Sequence, residues 1–189
     1  MSSMRRRSSA GVTLIELVVF IVIVGVAMAG LFAAYNTITA GSADPQVRKQ
    51  VLAIAESLMD EVQLMPFTFC DPNDPAAATA TSTGDCATVE GIGPEGGETR
   101  YNASNRFDNV SDYDGAPIGP GILDINGTSI AGLEGYTATV SVAQSGLGSG
   151  GGAIPATESL KITVQVTGPS GFSLTLEGYR TRYAPNSLP

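Results

Sequence analysis

Glu16 makes the sharpest chemical demand in this sequence. It stands at the head of an apolar run, Leu14 to Ala34, and from Leu17 to Ala43 the only ionisable side chain is Tyr35. A carboxylate in hydrocarbon costs roughly 2.5–3.5 kcal/mol at mid-membrane and less near the interface, so such a group is usually paired and functional. Cys70 and Cys86 are the second candidate, separated by about 15 residues. Without a Cys-x-x-Cys arrangement they read as a structural disulfide, contributing roughly 3 kcal/mol by restricting the unfolded chain. The third is Arg106 to Gly115, where Asp108, Asp112 and Asp114, with Asn109, offer the hard oxygen ligands that Ca²⁺ takes. Their spacing departs from the EF-hand loop, and Asp-Gly also makes turns, so a hydrogen-bonded loop is the competing reading. The sequence has no His. That removes the usual general base and the commonest metal ligand, and no nucleophile–base pair replaces it, so no enzyme and no organic cofactor are expected.

Charge is split along the chain. The net is −8, yet Arg5, Arg6 and Arg7 are the only charges before Glu16, leaving 7 basic against 18 acidic residues in the remainder. An acidic body opposes a phosphate backbone, so no nucleic-acid partner is expected. Arginines before an apolar run put the N-terminus in the cytoplasm and the C-terminal part across the membrane. There, in an oxidising compartment, a Cys70–Cys86 bridge persists.

Two processing sites compete. Ala27-Met28-Ala29 has the small-x-small pattern of an ordinary secretory cleavage site, but Glu16 interrupts the apolar region before it and the region continues beyond it. The rival cut falls after Gly11, where a residue without a side chain lets the backbone enter a crowded protease site. The run Gly11-Val12-Thr13-Leu14-Ile15-Glu16 followed by a long apolar helix resembles the N-terminal signature of type IV prepilins and type II secretion pseudopilins. The resemblance implies cleavage between Gly11 and Val12 by a prepilin peptidase, N-methylation of Val12, and Glu16 as the fifth mature residue. Valine stands where that family usually has phenylalanine, and Ala33 where many members have a kinking proline. The resemblance further implies that Glu16 pairs with the N-terminal amine of a neighbouring pilin subunit, and that the partners are major and minor pilins and the inner-membrane assembly machinery. A narrower resemblance, to the MshD-like minor pilins of the mannose-sensitive haemagglutinin (MSHA) pilus, rests on Ser42-Ala43-Asp44-Pro45, Gln50 through Met65, Phe69-Cys70-Asp71-Pro72 and the character of the Cys70–Asp114 region.

These residues need elements to hold them. Residues 1–11 read as a leader and 12–43 as a membrane and filament-core helix, with Gly25, Ala29 and Ala33 forming a small-residue stripe. Asp44, as N-cap, and Pro45 open an amphipathic helix over 44–66, with Val47, Val51, Ile54, Ala55, Leu58, Val62 and Met65 on one face. Residues 67–132 lack periodicity and read as an irregular region stapled by the disulfide. Over 133–189, Tyr136–Ala143, Leu160–Thr167 and Phe172–Glu177 alternate apolar and polar residues, which predicts antiparallel strands. The expected fold is α+β: one long N-terminal helix, its second half packed on a C-terminal sheet. The implied function is a minor type IV pilin, inserted once in the inner membrane with its C-terminal domain periplasmic before it enters the pilus. A type II secretion pseudopilin and a membrane-anchored binding module that never polymerises are the alternatives.

Overall fold

The computed structural model describes residues 11–42, 44–183 and 186. The expected leader, Arg5–Arg7 included, lies outside the described residues except for Gly11. The chain divides into two compact units, Met1–Pro45 and Gln46–Pro189.

The first unit contains helix α1, Leu14–Ser42. Thr13-Leu14-Ile15-Glu16 has the spacing of a capping box. The Glu16 N–H donates to Thr13 Oγ1 at 3.4 Å, and the Leu17 N–H to the Thr13 carbonyl at 3.1 Å. Glu16 therefore sits in the first turn, where the helix dipole favours an anion by roughly 0.3–1 kcal/mol. Its Leu14–Asn36 span, 23 residues with a mean hydropathy of 2.9, is long and apolar enough to cross a membrane, and none of its most apolar window is buried. At 1.5 Å per residue it reaches about 35 Å, against about 30 Å of hydrocarbon. The helix runs through Ala33 without a break.

Helix α2, Asp44–Leu64, begins at the expected position, although the capping role of Asp44 concerns a side chain outside the described ones. Pro66 disfavours a helical Met65, and the Met65 N–H turns back to the Val62 carbonyl at 3.2 Å to end the helix. Four strands follow: β1 (Pro117–Ile118), β2 (Thr137–Gln144), β3 (Ser159–Thr167) and β4 (Ser173–Thr181). They form one antiparallel sheet in the order β1-β2-β3-β4.

Val51, Ile54, Ala55, Leu58, Met59 and Val62 of α2 share one core with Val140 and Val142 of β2 and Leu160, Ile162, Val164 and Val166 of β3. This is the expected α+β arrangement, an apolar helix stripe on the apolar face of a meander. Gly178 of β4 allows the close approach of helix and sheet. A Cβ there would overlap Gln63 Nε2 and stand 2.8 Å from Met59 Sδ.

Between α2 and β2 the chain is mostly irregular apart from β1 and short 3₁₀ turns, and parts of it are buried. Cys70 and Cys86 are disulfide-bonded, with Cα atoms 5.3 Å apart. Asp74 accepts hydrogen bonds from the Ala76 N–H (2.7 Å) and the Thr88 N–H (2.5 Å), which folds the bridged loop over the small core of Cys70, Ala77 and Ala80. Just beyond β4, Arg182 returns to the start of this region. Its guanidinium lies over Phe67 and Phe69 (3.7 and 4.3 Å to the ring centroids) and donates to the Thr68 carbonyl.

Candidate functional site

The three aspartates expected to share a cation do not converge. Asp114 Oδ1 accepts from the Val142 N–H at 2.8 Å and so ties the loop to β2. Asp112 Oδ2 accepts from the N–H groups of Asp108 (2.9 Å) and Asn109 (2.7 Å), closing the turn ahead of the 3₁₀ segment Ser111–Tyr113. Asp108 Oδ2 takes a hydrogen bond from Asn73 Nδ2 at 2.8 Å. Asp108 and Asp112 instead join carboxylates from distant parts of the loop region. Asp71, Glu98 and Asp108 bring carboxylate oxygens within 4.8 Å of one another, and Glu90, Glu95 and Asp112 do the same. Burial and then the surrounding negative charge push Glu98 up to about 8, and burial with the Asp71 charge pushes Asp108 up to about 6. Glu90 and Asp112 are also raised, chiefly by burial, against the opposing pull of the Ser111 hydroxyl on one and of the Asn109 and Asp108 amides on the other. A cleft of about 340 Å³ opens beside them, with Glu98, Asp112 and Asp114 among its lining residues.

A separate buried polar cluster lies under α2. Arg100 pairs with Glu61 through Nε (2.7 Å) and Nη2 (2.6 Å), Tyr113 donates to Glu61 Oε1 at 3.0 Å, and Arg100 Nη1 donates to the Leu123 carbonyl at 3.2 Å. Together they clamp α2 to two loops. Burial and the Glu61 carboxylate raise the Tyr113 phenol well above its ordinary range, so it stays protonated and serves as a donor.

At the N-terminus, Gly11, Val12 and Thr13 precede α1 and are exposed, as is Glu16. A Cβ at Gly11 would meet nothing within 4 Å, so the described packing of this chain makes no demand for glycine there. Residues 6–32 match the family model of the prokaryotic N-terminal methylation motif. The N-terminus is prepilin-like. This motif supports a pilin-like or pseudopilin protein that is processed by a prepilin peptidase and assembles with other pilin subunits. With one apolar N-terminal helix, it fits a single-pass inner-membrane anchor. The prepilin-like match stops at residue 32, before α2, the acidic region and the sheet. No curated protein and no solved structure matches the chain.

Sequence reasoning missed Asp71, Glu90, Glu95 and Glu98, and also the Glu61–Arg100 pair. The available signal was the density of carboxylates in a Gly- and Pro-rich stretch, but nothing in their spacing says which of them meet.

Proposed function

We propose that this chain is a minor type IV pilin of the MSHA type, cut between Gly11 and Val12, methylated on Val12, and inserted through α1 into a growing filament. The methylation motif over residues 6–32, with Glu16 in the first turn of an uncovered apolar helix, supports the pilin-like part of this reading, and the MSHA type rests on the narrower resemblance at Ser42–Pro45, Gln50–Met65 and Phe69–Pro72. Removal of the leader leaves an ammonium at Val12, one helical turn from Glu16. When α1 of one subunit packs in apolar surroundings, an unpaired Glu16 is costly and one paired with a neighbour's amine much less so. That difference sets the axial register of an incoming subunit. The stripe Gly25, Ala29 and Ala33 lets helix backbones come close. The folded loop region, Phe67 to Ala116, supplies an individual surface suited to a subunit with a specific position. The Cys70–Cys86 bridge suits a periplasmic domain.

Mass analysis of the N-terminus from cells tests the processing, with a chain beginning at methylated Val12 as the expected result. A chain beginning at Gly30 would overturn the assignment. Glu16→Ala is expected to leave membrane insertion intact and to lower recovery in sheared pili by roughly tenfold or more, the equivalent of at least about 1.4 kcal/mol. Recovery with secretion machinery instead of pili would replace the pilus assignment by a pseudopilin one.

A further inference from the structure

Among the acidic groups, the one at Glu90, Glu95 and Asp112 has an oxygen that the protein leaves unused. Each carboxylate commits one oxygen to a local hydrogen bond. Ser111 Oγ donates to Glu90 Oε1 at 2.6 Å, the Gly91 N–H to Glu95 Oε1 at 2.7 Å, and the Asp108 and Asn109 amides to Asp112 Oδ2. Asp112 is only 1 % exposed, and its other oxygen, Oδ1, is buried with no hydrogen-bond partner among the described residues. An unsatisfied buried carboxylate oxygen is costly, and beside two further carboxylates it is costlier still. Nearby positive charge is otherwise engaged. Arg182, whose charge reaches Glu90, is taken up by Glu158 (3.4 Å), the Thr68 carbonyl and the two Phe rings.

We propose that Glu90, Glu95 and Asp112 bind a calcium ion, which fastens the loop 90–95 to the 3₁₀ segment Ser111–Tyr113. The spacing suits the ion. One oxygen from each of the three carboxylates lies within 4.8 Å of the others, close enough for a single Ca²⁺ to touch all three at about 2.4 Å. The loop is already held in shape, because the Gly93 N–H donates to the Ser111 carbonyl at 3.0 Å and Glu95 closes back on Gly91. Asp112 also lines the adjoining cleft, together with Glu98 and Asp114. Mg²⁺ fits less well, since it requires a tight octahedron at about 2.0–2.1 Å and sheds water reluctantly. Asp71, Glu98 and Asp108 form an adjoining acidic group whose field strengthens attraction to any cation, but none of their atoms is a buried orphan like Asp112 Oδ1.

Full-length protein in detergent, stripped with chelator, is titrated with CaCl₂ and separately with MgCl₂ by calorimetry, and its thermal unfolding is followed in parallel. One Ca²⁺ is expected per chain, with Kd roughly 10⁻⁴ to 10⁻³ M, the range of extracellular modules. Tm should rise by about 3–6 °C at ten times Kd. Mg²⁺ should bind at least tenfold more weakly. Asp112→Asn and Glu95→Gln should each weaken Ca²⁺ binding tenfold or more. Glu95→Gln changes a half-buried loop position and keeps the test decisive if Asp112→Asn does not fold. Asp124→Asn, at a loop elsewhere, should bind as the parent does. No heat and no Tm change at 5 mM Ca²⁺ would overturn the proposal, as would binding that survives Glu95→Gln but is lost in Glu98→Gln. Filament incorporation is not read in this experiment, so its outcome is independent of the subunit assignment.

Discussion

Helix α1 is apolar on every side and its membrane-length span is uncovered, whereas α2 buries Val51, Ala55, Leu58 and Val62 in the core it shares with the sheet and exposes residues such as Glu56 and Asp60. Both are long and both are exposed to the same rules of side-chain burial, yet among the described residues it is the apolar face of α2 that joins the buried core. An all-round apolar helix buries itself in lipid or among copies of itself. An amphipathic one needs a single apolar surface, and β2 and β3 provide it. The contrast places the buried core in one unit and a long uncovered apolar span in the other.

The largest effect expected from this contrast falls on the buried ion pair of the second unit. Glu61→Ala strands the Arg100 guanidinium, 7 % exposed in the native fold, and should destabilise that unit by about 3–5 kcal/mol in denaturant titration. Replacing Glu61 and Arg100 together by apolar residues of similar size should recover most of the loss, because no charge is then left alone. Core truncation sharpens the comparison. Leu58→Ala in α2 should cost about 2–5 kcal/mol, while Phe20→Ala in α1, whose ring is exposed, should leave the unfolding of the second unit within about 0.5 kcal/mol of the parent. If Phe20→Ala were as damaging as Leu58→Ala, the division of roles would be wrong. Replacing Cys70 and Cys86 by serine should cost about 3 kcal/mol, measured against the parent under non-reducing conditions.

The smallest effect is the pH dependence. Glu98 and Asp108 titrate higher in the folded chain, near 8 and 6, than their ordinary values of 4.5 and 3.8. Their contribution is therefore complete below the unfolded pKa and is lost as pH rises through the folded one. Asp74, Asp85 and Glu134 are lowered by hydrogen bonds to their carboxylates, so their contribution is lost as pH falls below the ordinary carboxylate range. In chelator, Tm should peak between about pH 4 and 6 and decline towards pH 8.5. A flat profile over that upper range would mean that the acidic region is better solvated than its packing indicates.

The sequence carried the elements far better than the sites. Alternation at Leu160–Thr167 and helical spacing from Val51 to Val62 survive tertiary packing, because each is the imprint of one apolar surface. The pairing ladder extends β4 four residues past Glu177, the limit that alternation indicated, with Ser159 facing Thr181. The two residues of β1 left no pattern at all, since Pro117 and Ile118 are too few to alternate. Asp108, Asp112 and Asp114 are neighbours in the chain, but a hydrogen bond from the Val142 N–H, 28 positions away, ties Asp114 to β2. Their companions Glu90 and Glu98 arrive through the folding of the irregular chain that follows the Cys70–Cys86 loop. Proximity created by loop folding has no period to read. Glu61 and Arg100, 39 positions apart, were invisible for the same reason.

The sheet that covers α2 also dictates a timetable. A ribosome releases α2 long before β2 and β3, and the stack of Arg182 on Phe67 and Phe69 comes later still. For most of its synthesis the nascent chain therefore carries a second sticky surface directly after its membrane-length helix. A chain cut short before Ser159 would lack Leu160, Ile162, Val164 and Val166 and would keep part of that surface open for good.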